Sequence, residues 1–351
     1  MYREATAADA VITVDRVTKV FTQWQRENAG KNLLLNLLKP QKKIITALDN
    51  VTFTIRRGEF VAYAGPNGAG KSTTMKLLAG MLYPTEGGVT VLGMSPGKDR
   101  IKIMRRLGVL FGNRSELWWD HPVSQSFEWK RVVWDIPENV YKRNLEMVTD
   151  LLDIGDLLKT FARELSLGQR MRADLAMMLL HSPELILLDE PTLGLDVVAK
   201  RQMINFLKKI NRDEGATIMV TSHDMDDLEE MARRIMMISG GKIAYDGDFA
   251  GLRDITGSLT RLAVTINGGA FVSDFVASEN APGDAANPLN LTDAAFIAAK
   301  DDVYEYETDT TKTPIKTLLK QLSEIDGVTD VEISKAPIEQ VIASLYAAWK
   351  K

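Results

Sequence analysis

Nine residues, Gly65-Pro-Asn-Gly-Ala-Gly-Lys-Ser-Thr73, narrow the possible folds of this chain more than any other stretch of it. They fit G-x-x-x-x-G-K-[ST]. Before them runs Glu59 to Ala64, which reads as a strand, and after Lys71 apolar residues recur at three- and four-residue spacing, which reads as a helix. Strand, loop and helix in that order are the context the pattern requires. At average residue frequencies such a match arises in roughly one chain of this length in a hundred, before its neighbours are considered. The glycines let backbone N–H groups close around phosphate oxygens, and the helix beginning at Lys71 turns the positive end of its dipole toward them. Lys71 adds a point charge at the β- and γ-phosphates. Ser72 adds a hydroxyl for Mg²⁺, which takes oxygen ligands and keeps several waters. Gly65, Pro66, Asn67, Gly68, Ala69, Gly70, Lys71, Ser72 and Thr73 are therefore the expected nucleotide cradle.

A second element, Glu184-Leu-Ile-Leu-Leu-Asp-Glu190, is a run of four apolar residues ending in two carboxylates. A run apolar on both faces is a buried parallel strand, so Asp189 and Glu190 emerge at its carboxyl end, where open α/β sheets bind ligands. Asp189 is expected in the Mg²⁺ shell and Glu190 on the attacking water as general base. The alternative is a pair that merely caps the following helix. From Val11 to about Gly247 short β-branched runs alternate with amphipathic segments, the pattern of an α/β domain with a largely parallel sheet. Its clearest strands are Glu59 to Ala64, Gly108 to Phe111, Leu185 to Leu188, Thr217 to Thr221 and Ile235 to Ser239. Clear helices follow Lys71, Gly168 and Val197.

The 351 residues suffice for about two domains. Beyond Gly257 the character changes. A Gly, Ala, Asn and Pro rich stretch, Ala277 to Leu289, reads as loop, and residues 257–351 carry eight basic against fourteen acidic side chains. The boundaries drawn are 1–250 for the first domain and 257–351 for a small α+β module, with strands over Val303 to Glu307 and Val328 to Ile333. Helices are expected over Ile315 to Ser323 and Ile338 to Trp349. A net charge of −4 gives no footprint for wholesale nucleic-acid binding. With no cysteine, disulfides, thiolate zinc, iron–sulfur clusters and cysteine catalysis are excluded together. The longest apolar runs fall far below the ~20 residues of a membrane span, and the start, MYREATAADA, lacks the basic and apolar segments of a signal peptide. Neither a bilayer crossing nor export of the chain is expected.

Further residues carry a specific likeness. Leu165-Ser-Leu-Gly-Gln169, starting 24 residues before Asp189, resembles the LSGGQ signature of ATP-binding-cassette (ABC) ATPases, with Leu167 in place of the first glycine. Thr192-Leu-Gly-Leu-Asp196 resembles their D-loop, and Thr221-Ser-His-Asp224 their switch-histidine region. The likeness covers roughly residues 11 to 250 and in detail looks like the drug-exporter branch, whose nucleotide-binding subunit is encoded apart from its permease. It implies a P-loop core with a helical subdomain over about 112–170, ATP and Mg²⁺ as cofactors, and ATP hydrolysis. The implied partners are a transmembrane ABC permease and a second nucleotide-binding subunit, a homodimer being the simplest case. No nucleic acid is implied, and the implied location is the cytoplasmic face of the cell membrane, peripheral through the permease.

Residue by residue, the resemblance puts Ser166, Gly168 and Gln169 of one copy on the γ-phosphate held by Lys71 and Ser72 of the other. His223 would contact the γ-phosphate and orient the water, and Asp196 would couple the two sites. Phe21, in Val17-Thr-Lys-Val-Phe21, fits the place of the adenine-stacking aromatic just after the first strand, or else serves the core. The Q-loop glutamine, a Mg²⁺ and coupling residue, is replaced. Gly112-Asn113-Arg114 stands there, so Asn113 takes that role with an amide one methylene shorter. His121 and His181 have no such placement and read as structural.

Five rings follow, Trp118, Trp119, Phe127, Trp129 and Trp134. They read as helical core or as a permease contact, and adjacent tryptophans cannot both face one core, which makes one of Trp118 and Trp119 a contact candidate. Thr22 to Lys43 is an insertion with five basic residues and one acidic. Its centre, Lys31 to Lys39, is either a short amphipathic helix for an anionic membrane or permease surface, or a solvated loop. The function expected is therefore an ATPase subunit driving an exporter. The rival is a soluble ABC ATPase acting on ribosomes or DNA, disfavoured by the single cassette, the missing heptads and cysteines, and the acidity. The C-terminal module looks too short and too helical for a substrate-binding β-sandwich and reads as regulatory or dimer-stabilising.

Overall fold

The computed structural model describes residues 9–25, 41–111, 115–222, 224–255, 259–266, 287–300, 302–310 and 313–335. The chain divides into two units, Met1–Asp248 and Phe249–Lys351. In the first, β1 (Ala10–Gln25), β2 (Gln41–Arg56) and β4 (Glu86–Val91) form an antiparallel sheet in the order β2-β1-β4. A second sheet has six strands, β3 (Phe60–Ala64), β5 (Leu107–Phe111), β6 (Leu185–Asp189), β7 (Thr217–Thr221), β8 (Arg234–Ser239) and β9 (Lys242–Asp248). Their order is β5-β6-β7-β3-β8-β9, parallel except for the β8–β9 hairpin. Every residue of β3 and β7 is buried, as a central parallel strand covered on both faces must be. The α/β class with a mainly parallel core is the observed one.

Helices of this unit are α1 (Lys71–Leu78), α2 (Arg100–Met104), α3 (Val123–Val133), α4 (Glu138–Leu152), α5 (Leu167–Leu179), α6 (Val197–Asp213) and α7 (Met225–Met231). Met75 and Leu78 of α1 share one buried cluster with Val14 and Ile55 of the antiparallel sheet and with Val61, Leu187 and Met219 of the parallel one. Fully burying a side chain of this size stabilises by about 1.5–3 kcal/mol. The helix after the phosphate-binding loop is thereby clamped between two sheets, which fixes the direction of its N-terminus.

The first strand differs from expectation. Phe21 does not follow β1 but lies inside it, half-buried and paired with Ile45, and the ends of the supposed insertion extend the hairpin, with Thr22 opposite Ile44 and Gln25 opposite Gln41. Three register shifts between Val14 and Val20, and a left-handed Arg16 (φ 47°), interrupt the two-residue period by which a strand is recognised. The Lys31–Lys39 segment lies outside the described residues.

The second unit contains α8 (Phe249–Ile255), β10 (Leu259–Ile266), β11 (Ala294–Lys300), β12 (Val303–Asp309), α9 (Ile315–Ser323) and β13 (Val328–Lys335). Its sheet is antiparallel in the order β11-β12-β10-β13. Leu318 and Leu322 of α9 pack with Leu262, Val264, Tyr304 and Tyr306, so the helix covers one sheet face. Among the described residues the helix Ile315–Ser323 and both strands anticipated for the α+β module are present, and β10 and β11 add two strands to them. The expected helix Ile338–Trp349 and most of the Ala277–Leu289 loop lie outside the described residues.

Candidate active site

The loop Gly65–Gly70 leaves the carboxyl end of β3 and delivers the chain to Lys71 at the first turn of α1. Two glycines are sterically required there. A Cβ on Gly65 would collide with the Ile238 carbonyl, and Gly70 has φ 116° with the Ala47 carbonyl 2.6 Å from where its Cβ would stand. Backbone thus approaches backbone closely at both ends of the loop. Thr74, one turn into α1, donates its hydroxyl to the Gly70 carbonyl at 3.1 Å and lies 3.0 Å from the buried Tyr63 hydroxyl. Lys71 is buried while Ser72, beside it, is exposed.

Lys71 Nζ donates to the carbonyls of Gly65 at 2.6 Å and Pro66 at 3.3 Å. Burial lowers the pKa of this ammonium, and the nearby carboxylates Glu190 and Asp189 oppose that shift. The phosphate-binding loop and the acidic end of β6 therefore share one electrostatic environment. Asp189 sits at the last position of β6, flanked in register by Phe111 of β5 and Thr221 of β7. The Thr221 hydroxyl donates to Asp189 Oδ1 at 2.7 Å and accepts the Glu190 N–H at 3.0 Å, an N–H that also reaches the Thr221 carbonyl at 3.1 Å. Glu190 has φ 57°, the left-handed region, a conformation costing of order 1–3 kcal/mol that persists where surrounding contacts impose it. Thr221 is the member of this site given no role of its own by the sequence. The signal was available, since two adjacent parallel strands that end at the same level bring their last side chains together.

The LSGGQ-like turn is the start of α5. Ser166 is its N-cap, accepting the Gln169 N–H at 3.3 Å while its own N–H donates to Gln169 Oε1 at 2.9 Å, a reciprocal capping box. Gly168 lies against the start of α6, where an added Cβ would be 3.6 Å from Ala199, and Leu167 is 43% exposed. Asp196 caps α6, its Oδ1 accepting the Ala199 N–H at 2.8 Å. Phe21 has the Lys19 ammonium 5.1 Å from its ring centre. Asn113 and His223 lie outside the described residues.

Just beyond residue 114, Asp174 of α5 accepts from the Ser115 hydroxyl at 2.9 Å and the Glu116 N–H at 3.0 Å, and burial pushes its carboxyl up to about 6. Of the five rings, Phe127 is buried and Trp134 stacks on His181 at 4.9 Å, whereas Trp118 and Trp119 are 39% and 55% exposed. Both adjacent tryptophans reach the surface, ahead of α3 rather than within it; Trp119 carries the Arg170 guanidinium 4.7 Å from its ring. His181 donates from Nε2 to the Leu107 carbonyl at 3.1 Å, and burial together with the Lys130 charge lowers its pKa to about 4. His121 is exposed and lies 2.7 Å from Gln125 Oε1.

Among the described residues no three His, Asp or Glu side chains gather as a metal site. The oxygens of Ser72 and Asp189 instead fit a cation bound by one or two protein groups together with phosphate oxygens and water, the habit of Mg²⁺. A parallel sheet with a lysine-bearing glycine loop at the end of one strand and paired carboxylates at the end of another, one strand lying between them, defines a P-loop nucleotide-hydrolysing cassette.

Comparison with known proteins sharpens that class. The family model described as ABC transporter matches residues 48–193. The ABC transporter ATP-binding protein NatA of Bacillus subtilis (strain 168) is 30% identical over 59% of this chain and 84% of its own length. The uncharacterized ABC transporter ATP-binding protein YhcH of the same organism is 34% identical over 56% of this chain, which spans 64% of that relative. Relatives named for multidrug transport, YbhF of Escherichia coli (strain K12), and for methionine import, MetN of Corynebacterium glutamicum, match at 34% and 32% identity. A solved dimeric ATP-binding cassette, in a post-hydrolysis state bound to ADP and Pi, superposes with a TM-score of 0.57 at 25% identity, covering 68% of this chain and 98% of that one. The chain belongs to the family of ABC transporter ATP-binding proteins, and it is an ATPase.

Proposed function

We propose that this ATPase drives a separately encoded membrane permease in the export direction, two copies closing head to tail over two ATP molecules. The observation that carries the reading is the convergence of Lys71, Asp189, Glu190 and Thr221 at the carboxyl ends of β3, β6 and β7, with a helix-capping LSGGQ-like turn presented elsewhere at the surface. Backbone N–H groups of Gly68, Gly70 and Lys71 bind and orient the β- and γ-phosphates. Ser72, Asp189 and Asn113 would hold Mg²⁺, which when bound supplies charge neutralisation on the phosphate oxygens. Glu190 accepts a proton from the attacking water, its carboxylate aimed by the left-handed backbone that Thr221 secures. His223 orients that water, and Phe21 stacks on the adenine. Ser166, Gly168 and Gln169 reach the γ-phosphate bound by the other copy, and Asp196 links the two sites.

The permease meets the exposed Trp118 and Trp119, and the chain is peripheral at the cytoplasmic membrane face through that contact. No helix among the described residues is long and apolar enough to cross a membrane. Likeness to a multidrug relative supports export, and likeness to a methionine importer makes direction a point to test. ATP turnover per molecule should rise with enzyme concentration across the range where the chain dimerises; turnover independent of concentration from a persistent monomer contradicts the two-copy reading. Capture of the tagged chain from detergent-solubilised membranes should bring a polytopic membrane protein. Recovery with ribosomes or DNA alone would favour the soluble alternative.

A further inference from the structure

Lys200 lies one turn inside α6, the helix that Asp196 caps, and its ammonium crosses to the start of α7. Nζ stands 2.6 Å from Asp224 Oδ2 and 3.1 Å from Asp227 Oδ2. Asp224 is itself the N-cap of α7. Its Oδ1 accepts the Asp227 N–H at 3.1 Å, and its own N–H donates to Ser222 Oγ at 3.0 Å. Asp227 is only 6% exposed, and the Lys200 ammonium is the charge set against its Oδ2. Removing one member of such a pair leaves an uncompensated buried charge, which is why the contact is expected to persist.

Each joined helix begins where a site loop ends. The segment from Glu190 to Asp196 leads from β6 into α6, and the segment after Thr221 leads from β7 into α7. Thr221 binds the inner end of the first segment through the Glu190 N–H. Lys200 binds the helix at its outer end to Asp224, whose chain position follows His223 directly. The Glu190–Asp196 segment is thus tied to β7 and α7 at both ends.

We propose that Lys200 is a positioning residue for hydrolysis, holding α6 and α7 in register so that the segments following β6 and β7 move as one piece. The inference rests on the reading of Glu190 and its surroundings as the hydrolytic site. Misplacement of a reacting group by about 1 Å can cost up to about a hundredfold in rate, and a severed outer tie acts through that sensitivity.

The test uses the full chain and steady-state ATP titrations of Lys200→Met, Lys200→Arg, Asp224→Asn and Lys200→Met/Asp224→Asn, beside Glu190→Gln. Lys200→Met should lower kcat about tenfold, with KM for ATP within about twofold. Lys200→Arg should recover kcat to within about threefold, since a guanidinium reaches two carboxylates, and the double variant should be no slower than Lys200→Met. A Lys200→Met enzyme with wild-type kcat overturns the proposal, as does a loss that arginine fails to recover or one that multiplies in the double variant. If Lys200→Met does not fold, Asp224→Asn decides. It keeps the Lys200–Asp227 pair, so lowered kcat at unchanged KM upholds the link and wild-type kcat removes it. Wild-type hydrolysis abolished in Glu190→Gln alongside an unaffected Lys200→Met defeats this proposal alone; hydrolysis retained by Glu190→Gln defeats it together with the reading of the site.

Discussion

The two ends of the parallel sheet treat charge in opposite ways. At the amino ends of β5 and β6, Glu184 is held by Arg106 and by Arg57, the latter at 2.9 Å, and the hydrogen bond from Arg106 above all draws its carboxyl down to about 2. That cluster is complete in itself. At the carboxyl ends, Lys71 turns its ammonium onto two backbone carbonyls, burial lowers its pKa, and Glu190 keeps a left-handed backbone. A desolvated cation whose hydrogen bonds among the described residues go to main-chain oxygens, beside a strained acid, is arranged for an anion with several oxygens to be added. One end contributes stability, and the other holds stability back for binding and chemistry.

The comparison breaks first if the carboxyl end proves dispensable. Glu190→Gln should lower kcat at least about a hundredfold while ATP binding, followed by a fluorescent nucleotide, stays within about threefold. Thr221→Val removes both side-chain bonds to the acidic strand end but keeps its β-branched shape. Turnover should fall about tenfold and stability by about 1 kcal/mol in urea unfolding; turnover left intact would free Asp189 and Glu190 from the proposed restraint. At the amino end, Arg106→Ala should cost about 1–2 kcal/mol, discounted because the partly exposed pair is screened by solvent, with turnover per folded molecule unchanged. A fall in turnover there would mean the two ends are not separable.

The smallest effect is in pH. Glu184 is drawn from its ordinary 4.5 to about 2 in the folded protein. A depressed carboxyl contributes stability that is fully present above about 4.5 and is lost as pH falls toward about 2. Urea midpoints should therefore decline across that window, and Arg106→Ala should flatten the decline.

Much of this was legible in the residues. Leu185–Asp189 and Thr217–Thr221 announce themselves because a strand buried on both faces is an apolar run bounded by breakers, and the glycine loop is local chemistry in a fixed spacing. Long-range pairing was less visible. The β1–β2 hairpin passes through four register shifts before it reaches Phe21, and β10 and β11 are recognisable as strands only against their partners, β12 and β13 for the first and β12 for the second. Lys200 acts through Asp224, 24 residues away in sequence, and Thr221 through Asp189, 32 residues away, so spacing alone could not assign them. Neither tryptophan before α3 turned inward, because that segment is turn rather than helix.

The central claim is that the carboxyl end of the sheet is half of a site that a second copy completes. Light scattering on Glu190→Gln with and without MgATP tests it most directly, with Lys71→Ala as the variant that cannot hold the phosphates. A monomer that doubles in mass when MgATP is added is expected, with no change for Lys71→Ala. Glu190→Gln saturated with nucleotide yet unchanged in mass would contradict it.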